Sequence, residues 1–227
     1  MSSAKQTADP PLSGAPGIQT QLADELRAAA RALNECVIDE AAARAALVTA
    51  KRLRQQLAGT RRPRWYETDD LERRAGPATR TGFNTHSMYR GTDNVLSVPL
   101  TSRLVSLPDG RRAVEGHVTC PPLYEGPPGG VHGGYVAGLF DDVLGSALQL
   151  VPGPSALTGT LTVRYRSLTP LQTGLRFTGW IHHVSGRRVV ARATCHAGER
   201  LTAEAEGLFV RIDMTQLAER AAREALD

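Results

Sequence analysis

Residues 124–151, YEGPPGGVHGGYVAGLFDDVLGSALQLV, constrain this chain more than any other stretch. A turn dense in glycine and proline leads into a helical run that is apolar on nearly every face. Such a run expects burial on nearly every side. Two adjacent carboxylates, Asp141 and Asp142, nevertheless stand inside it between Phe140 and Val143. A buried acid is costly unless it is paired, hydrogen-bonded or put to use. At the start of the same run, Gly133 and Gly134 leave backbone N–H groups bare at the positive end of the helix. Acids in an apolar helix and an open amide end together mark a site.

The flanks decide how this helix is covered. Upstream, residues 98–107 and 112–120 read as two strands joined by a turn at Pro108, Asp109 and Gly110. Downstream, Pro152, Gly153 and Pro154 stop the helix. Four strand-like runs follow at 157–167, 175–184, 187–196 and 201–212, and the short turns between them predict an antiparallel meander. The order is β-β-α-β-β-β-β. A lone sheet with one apolar face must cover that face, and the long helix is the available cover. The expected class is therefore α+β: a hotdog fold, an antiparallel sheet wrapped around a long central helix, with an N-terminal helical extension.

Around this domain, expected over 93–213, the chain divides by composition. Residues 1–17 are rich in Ser, Pro, Ala and Gly and read as disordered. Residues 18–58 turn to Ala, Leu, Arg and Glu; Leu22, Leu26, Ala30 and Leu33 fall at helical spacing, as do Ala46, Leu47, Ala50, Leu53 and Leu57. The pattern weakens over 34–39, so two helices or one bent helix are expected, lying on the core or on a partner subunit. Residues 59–92 read as an irregular linker whose basic cluster, Arg61, Arg62, Arg64, Arg73 and Arg74, is a solvated face before it is a phosphate site. A short helical tail is expected over 214–227.

Composition excludes several function classes. The 227 residues are 41% hydrophobic and 22% charged, as in an ordinary globular protein. The net charge of +4 rests almost wholly on arginine, Lys5 and Lys51 being the only lysines. No basic stripe with interleaved aromatics argues for nucleic acid. Cys36, Cys120 and Cys195 are odd in number and far apart, which reads as buried thiols in a reducing compartment. The first residues lack a signal-peptide core, and no apolar run reaches the ~20 residues of a membrane span. A cytoplasmic location is expected.

The chemistry is narrowed by what is missing. There is no phosphate loop with its Lys and hydroxyl, no GxSxG elbow and no Cys/His signature. His132 has no ligand partner at metal spacing, and His182 and His183 point to opposite faces of one strand. No metal and no resident cofactor are expected. A carboxylate remains as base or nucleophile. Nine residues separate His132 from Asp141, roughly 13 Å of helix rise and about two and a half turns. The two then lie on opposite sides of the helix, so one substrate meets both only if the glycine end of one helix meets the aspartate of a partner across a two-fold interface.

The motif YEGPPGGVHGGYVAGLFDD followed by LTGTLTVRYRSLTP resembles the hotdog-fold acyl-CoA thioesterases of the PaaI-like type, over about 93–213. That resemblance implies hydrolysis of an acyl-CoA thioester by a homodimer or a dimer of dimers. It implies that Gly133 supplies the amide for the thioester oxygen, that His132 orients that end, and that Asp141 is the base or nucleophile. Thr158 falls where a hydroxyl contacts the attacking water. Asp142 stands where relatives often carry a second acid. Gly130 and Gly134 border the substrate, and Arg187 and Arg188 stand near where the coenzyme A phosphates sit. Some relatives carry Asn six residues before the His; this chain has Gly126 there. A non-catalytic acyl-thioester-binding or scaffolding module remains the rival reading, with a hotdog dehydratase or hydratase behind it.

Overall fold

The computed structural model describes residues 16–61 and 85–213. Most of the N-terminal segment, the basic cluster beyond Arg61 and the C-terminal tail lie outside the described residues. Two helices come first, α1 (Ile18–Glu35) and α2 (Glu40–Gln56). The weak stretch between them is a true break: Asp39 caps α2, its side chain accepting from the Ala42 N–H at 2.8 Å. The two differ in cover. α1 buries Ala23 against the domain, whereas α2 buries nothing and leaves Leu47, Val48 and Leu57 exposed.

The domain follows as β1 (Thr101–Ser106), β2 (Arg112–Thr119), a 3-10 turn (Pro122–Tyr124), α3 (Gly133–Ala147) with a 3-10 extension (Leu148–Leu150), then β3 (Ala156–Tyr165), β4 (Gly174–Ser185), β5 (Arg188–Ala197) and β6 (Arg200–Arg211). The strands make one six-stranded sheet in the order β1-β2-β4-β5-β6-β3, every neighbour antiparallel. The hotdog arrangement is thus present. The meander holds only for β4, β5 and β6. β3 does not pair with β4; it crosses to the far side of β6 and forms a sheet edge. The connection over 166–173 leads away from β6, where Arg166 and Ser167 still bond Thr202 O, to the approach of α3: Thr169 accepts the Val131 N–H, and Pro170 bridges to Gly130.

The sheet wraps one face of α3 and leaves the other partly open. Val136, Leu139, Phe140, Val143, Leu144 and Ala147 are buried, the i, i+3, i+4, i+7 pattern of a single stripe. The expected all-round burial is therefore replaced by two faces, because the second carries Gly138, Asp141, Asp142 and Gly145, none of them fully buried. The core side is tight. A Cβ on Gly179 of β4 would lie 2.9 Å from Val143, and one on Gly207 of β6 would lie 2.7 Å from Phe209 and 3.2 Å from Leu144. Glycine at those positions lets the helix sit close to the strands. Cys120 and Cys195 are buried in this core, and burial pushes their thiols up to about 12 and about 11, so neither is a ready nucleophile. Cys36 departs from expectation: it caps α1 and is exposed.

Candidate active site

The approach to α3 is built by closing every amide but one. The turn at 126–130 is held by Gly126 N–H to Gly130 O at 2.9 Å and Gly130 N–H to Pro127 O at 2.8 Å, and Glu125 accepts from the Gly129 N–H at 2.7 Å. The His132 N–H goes to Tyr124 O at 2.8 Å. His132 is the N-cap, its Nδ1 accepting the Gly134 N–H at 3.1 Å. No acceptor among the described residues takes the Gly133 N–H. Capping by an imidazole thus satisfies Gly134 and leaves the Gly133 amide open at the positive end of the helix, where a negative oxygen is stabilised. Of the glycines marked in the sequence, Gly133 is the one with an amide to offer. Gly130 is buried beneath Leu168, with both backbone groups engaged, which removes it from any substrate surface. Gly126 is closed as well: a Cβ there would lie 2.6 Å from the His132 Cα, so an Asn at this position does not fit the loop as built. Gly126→Ala is expected to displace the capping histidine and lower stability by about 1–3 kcal/mol. A thermal melt indistinguishable from the parent protein contradicts this.

The two aspartates have separate surroundings. Thr158 of β3 donates its Oγ1–H to Asp141 Oδ1 at 2.8 Å, which brings together two residues that the resemblance assigns to one function. Asp142 turns the other way. Arg90 Nε lies 2.8 Å from its Oδ2, an ion pair without the straight N–H···O line of a hydrogen bond. The Asp142 side chain is 10% exposed. Burial pushes its proton affinity up, while Arg90, and after it Ser87, act against that.

Ser87, Tyr89 and Arg90 come from the stretch expected to be an irregular linker, where the sequence marks no residue of the site. Tyr89 lies on the open face of α3: a Cβ on Gly138 would fall 1.8 Å from the tyrosine hydroxyl oxygen. Gly138 is therefore a notch, one turn before both carboxylates, and Tyr89 fills it. Burial first, then the charges of Asp141 and Asp142, keep this hydroxyl above its ordinary value, so it stays a protonated donor. The available signal was a glycine inside an otherwise apolar helix, which marks a close approach by something else. At the far end, Tyr165 of β3 donates its hydroxyl to Gly133 O at 2.7 Å, and its ring packs over Gly133.

His132 and Asp141 stay apart within one chain. β3 runs past both, Thr158 at the aspartate and Tyr165 at the glycine, about 23 Å apart along the strand. Arg187 and Arg188 lie at the Asp141 end of the sheet, since Arg188 pairs with Val210 and Val210 with Leu157. Arg187 Nε donates to Arg211 O at 3.1 Å, and Arg211 reaches Pro152 O, which adds an arginine that the sequence reading passed over. Among the described residues, no cluster of three His, Cys, Asp or Glu is placed to hold a metal, and no helix is long and apolar enough to cross a membrane.

A crystal structure of a thioesterase-superfamily protein matches this chain with a TM-score of 0.68 and 29% identity, over 87% of this chain and 97% of that one. The fold is that of the thioesterase superfamily. No family model matches the chain. A thioesterase-superfamily protein from Shewanella loihica PV-4 is 28% identical over 50% of this chain and 91% of its own, with a TM-score of 0.42. Acyl-coenzyme A thioesterase THEM4 of Xenopus laevis is 31% identical over 93 residues, which are 40% of this chain. The chain spans about two-fifths, 41%, of that curated relative's length. The first of these likenesses reaches beyond the 93–213 region. An overlap of 87% cannot be confined to 93–213, about half the chain, so the N-terminal extension is shared with that hotdog structure.

Proposed function

We propose that this chain hydrolyses acyl-CoA thioesters to the free acid and coenzyme A, with Asp141 as general base. The observation that carries the reading is the Asp141–Thr158 pair on the open face of α3, while Asp142 is occupied by Arg90. Thr158 donates to one oxygen of Asp141 and keeps its own lone pairs; the second Asp141 oxygen is left to accept from water. Asp141 takes a proton from that water as its oxygen attacks the thioester carbonyl. The carbonyl electrons move to an oxyanion held by the Gly133 N–H, a contribution of about 3 kcal/mol per donor. Collapse breaks the C–S bond, and the thiolate leaves with the proton that Asp141 received. Arg187, Arg188 and Arg211 at the same end of the sheet suit the phosphates of coenzyme A. The names of the thioesterase-superfamily structure and of the acyl-coenzyme A thioesterase support the substrate class.

The site is completed by a second copy. β3 has β6 on one side only, and its largely exposed residues present a ten-residue edge. Antiparallel pairing of two such edges, centred between Leu161 and Thr162, sets Thr158 of one copy opposite Tyr165 of the other. That register brings each aspartate to the partner's Gly133. Thiol release across short, medium, long and aromatic acyl-CoAs tests the enzyme reading, which fails if purified protein releases none. Light scattering tests the shared site: a mass of about twice 24.4 kDa, or a multiple of that dimer, is expected, and a fully active monomer rules it out.

A further inference from the structure

The N-terminal helix reaches the carboxylates through a chain of contacts. On α1, Thr20 Oγ1 donates to Asp93 Oδ1 at 2.6 Å. Arg27 donates to Asn94 O at 2.7 Å and to Thr92 O at 3.0 Å, and its side chain is only 14% exposed. The loop so gripped folds back on itself. The Gly91 N–H bonds Ser87 O at 2.9 Å, the Asp93 N–H bonds Thr85 O at 2.8 Å, and Asn94 Nδ2 donates to His86 O at 3.1 Å. The fold-back is too tight for a side chain at its tip, where a Cβ on Gly91 would meet Ser87 O at 2.4 Å. Tyr89 and Arg90 project from this loop onto α3, one into the Gly138 notch and the other onto Asp142. Leu100 N–H on Tyr89 O at 2.9 Å and the Tyr89–Tyr135 ring contact at 5.5 Å fix its other flank.

We infer that α1 is a working part of the carboxylate site: through Arg27 it holds the 85–94 loop in the shape that seats Tyr89 and Arg90 beside Asp141 and Asp142. Arg27 and Arg90 are then positioning residues, acting through the loop and through Asp142. The inference rests on the thioesterase reading for its kinetic readout. It also gives the extension a reason to accompany the domain in the thioesterase-superfamily structure matched over 87% of this chain. A helix that merely stabilised the domain would need no grip on the loop that sets Arg90 against Asp142.

Three variants of the full chain test it: Arg27→Ala, Arg90→Gln and Arg90→Lys. The titratable groups set against Asp142 are Arg90, Asp141 and Tyr89, with the Ser87 hydroxyl beside them. Arg90 opposes protonation of Asp142, so removing its cation makes that carboxylate easier to protonate, and Arg90→Gln is expected to move the acid limb of kcat/KM up by about one pH unit. Arg90→Lys is expected to return the limb toward the parent position. Arg27→Ala is expected to lower kcat by about 10- to 100-fold with KM little changed, and to move the acid limb in the same direction as Arg90→Gln. An Arg27→Ala protein with parental kcat and pH profile overturns the inference; so does one whose loss follows its melting temperature alone. Hydrogen exchange keeps this outcome separate from failure of the thioesterase reading. Exchange over 85–94 is expected to rise in Arg27→Ala whether or not the parent cleaves thioesters, and unchanged protection there also overturns the inference.

Discussion

Asp141→Asn is expected to lower kcat for acyl-CoA hydrolysis by about 10²- to 10⁴-fold while leaving the thermal melt nearly in place. The amide is isosteric and can still accept from the Thr158 hydroxyl, so the local packing survives. What is lost is the negative oxygen that, in the proposed mechanism, accepts a proton from water. The open face of α3 makes the separation of effects clean, because Asp141 supports no core contact there. Asp142→Asn is the informative control. It leaves the Arg90 guanidinium without its counter-charge in a largely buried place, so its main effect is expected on stability, with a smaller loss of rate. Steady-state kinetics beside thermal melts decide the matter. Abolition of turnover by Asp142→Asn, with Asp141→Asn active, would reassign the base.

Phe140→Ala is expected to show the opposite pattern. Phe140 is fully buried on the core face of α3 and meets Phe177 of β4 edge-on, ring centroids 5.0 Å apart. Its removal costs the transfer energy of the ring, the edge-to-face contact and the cavity left behind, together about 3–5 kcal/mol. Domains of this kind are stable by only about 5–15 kcal/mol in total. A urea titration should show a large fall in midpoint. The strands are already drawn close to the helix at Gly179 and Gly207, which leaves little room for collapse into the void. A cost below about 1 kcal/mol is incompatible with α3 as the centre of this core.

Much of this was readable in the residues because it rests on local chemistry. Helix stops at Pro152 and Pro154, the Pro108–Gly110 turn and the short turns between the strand-like runs are short-range signals, and the elements stand near where those signals put them. Asp141 with Thr158 was also legible, through resemblance. Three features were not. The place of β3 at the edge is a long-range pairing with β6, which no local pattern states. The two faces of α3 were masked because glycine counts as neither polar nor apolar, and Gly138 and Gly145 filled the open face. Ser87, Tyr89 and Arg90 sat in a stretch with no periodicity, and their meaning comes only from α1 gripping the loop some 65 residues or more away in sequence.

The edge position of β3 has a consequence for how such a protein behaves in a cell or a cuvette. On the proposed pairing of two β3 edges, the two halves of each site come from different copies, and turnover then depends on how many copies are joined as well as on how many are present. Specific activity should therefore fall on dilution below the dissociation constant of the pair and recover on concentration. Excess substrate bridging both halves should hold the copies together and mask the fall.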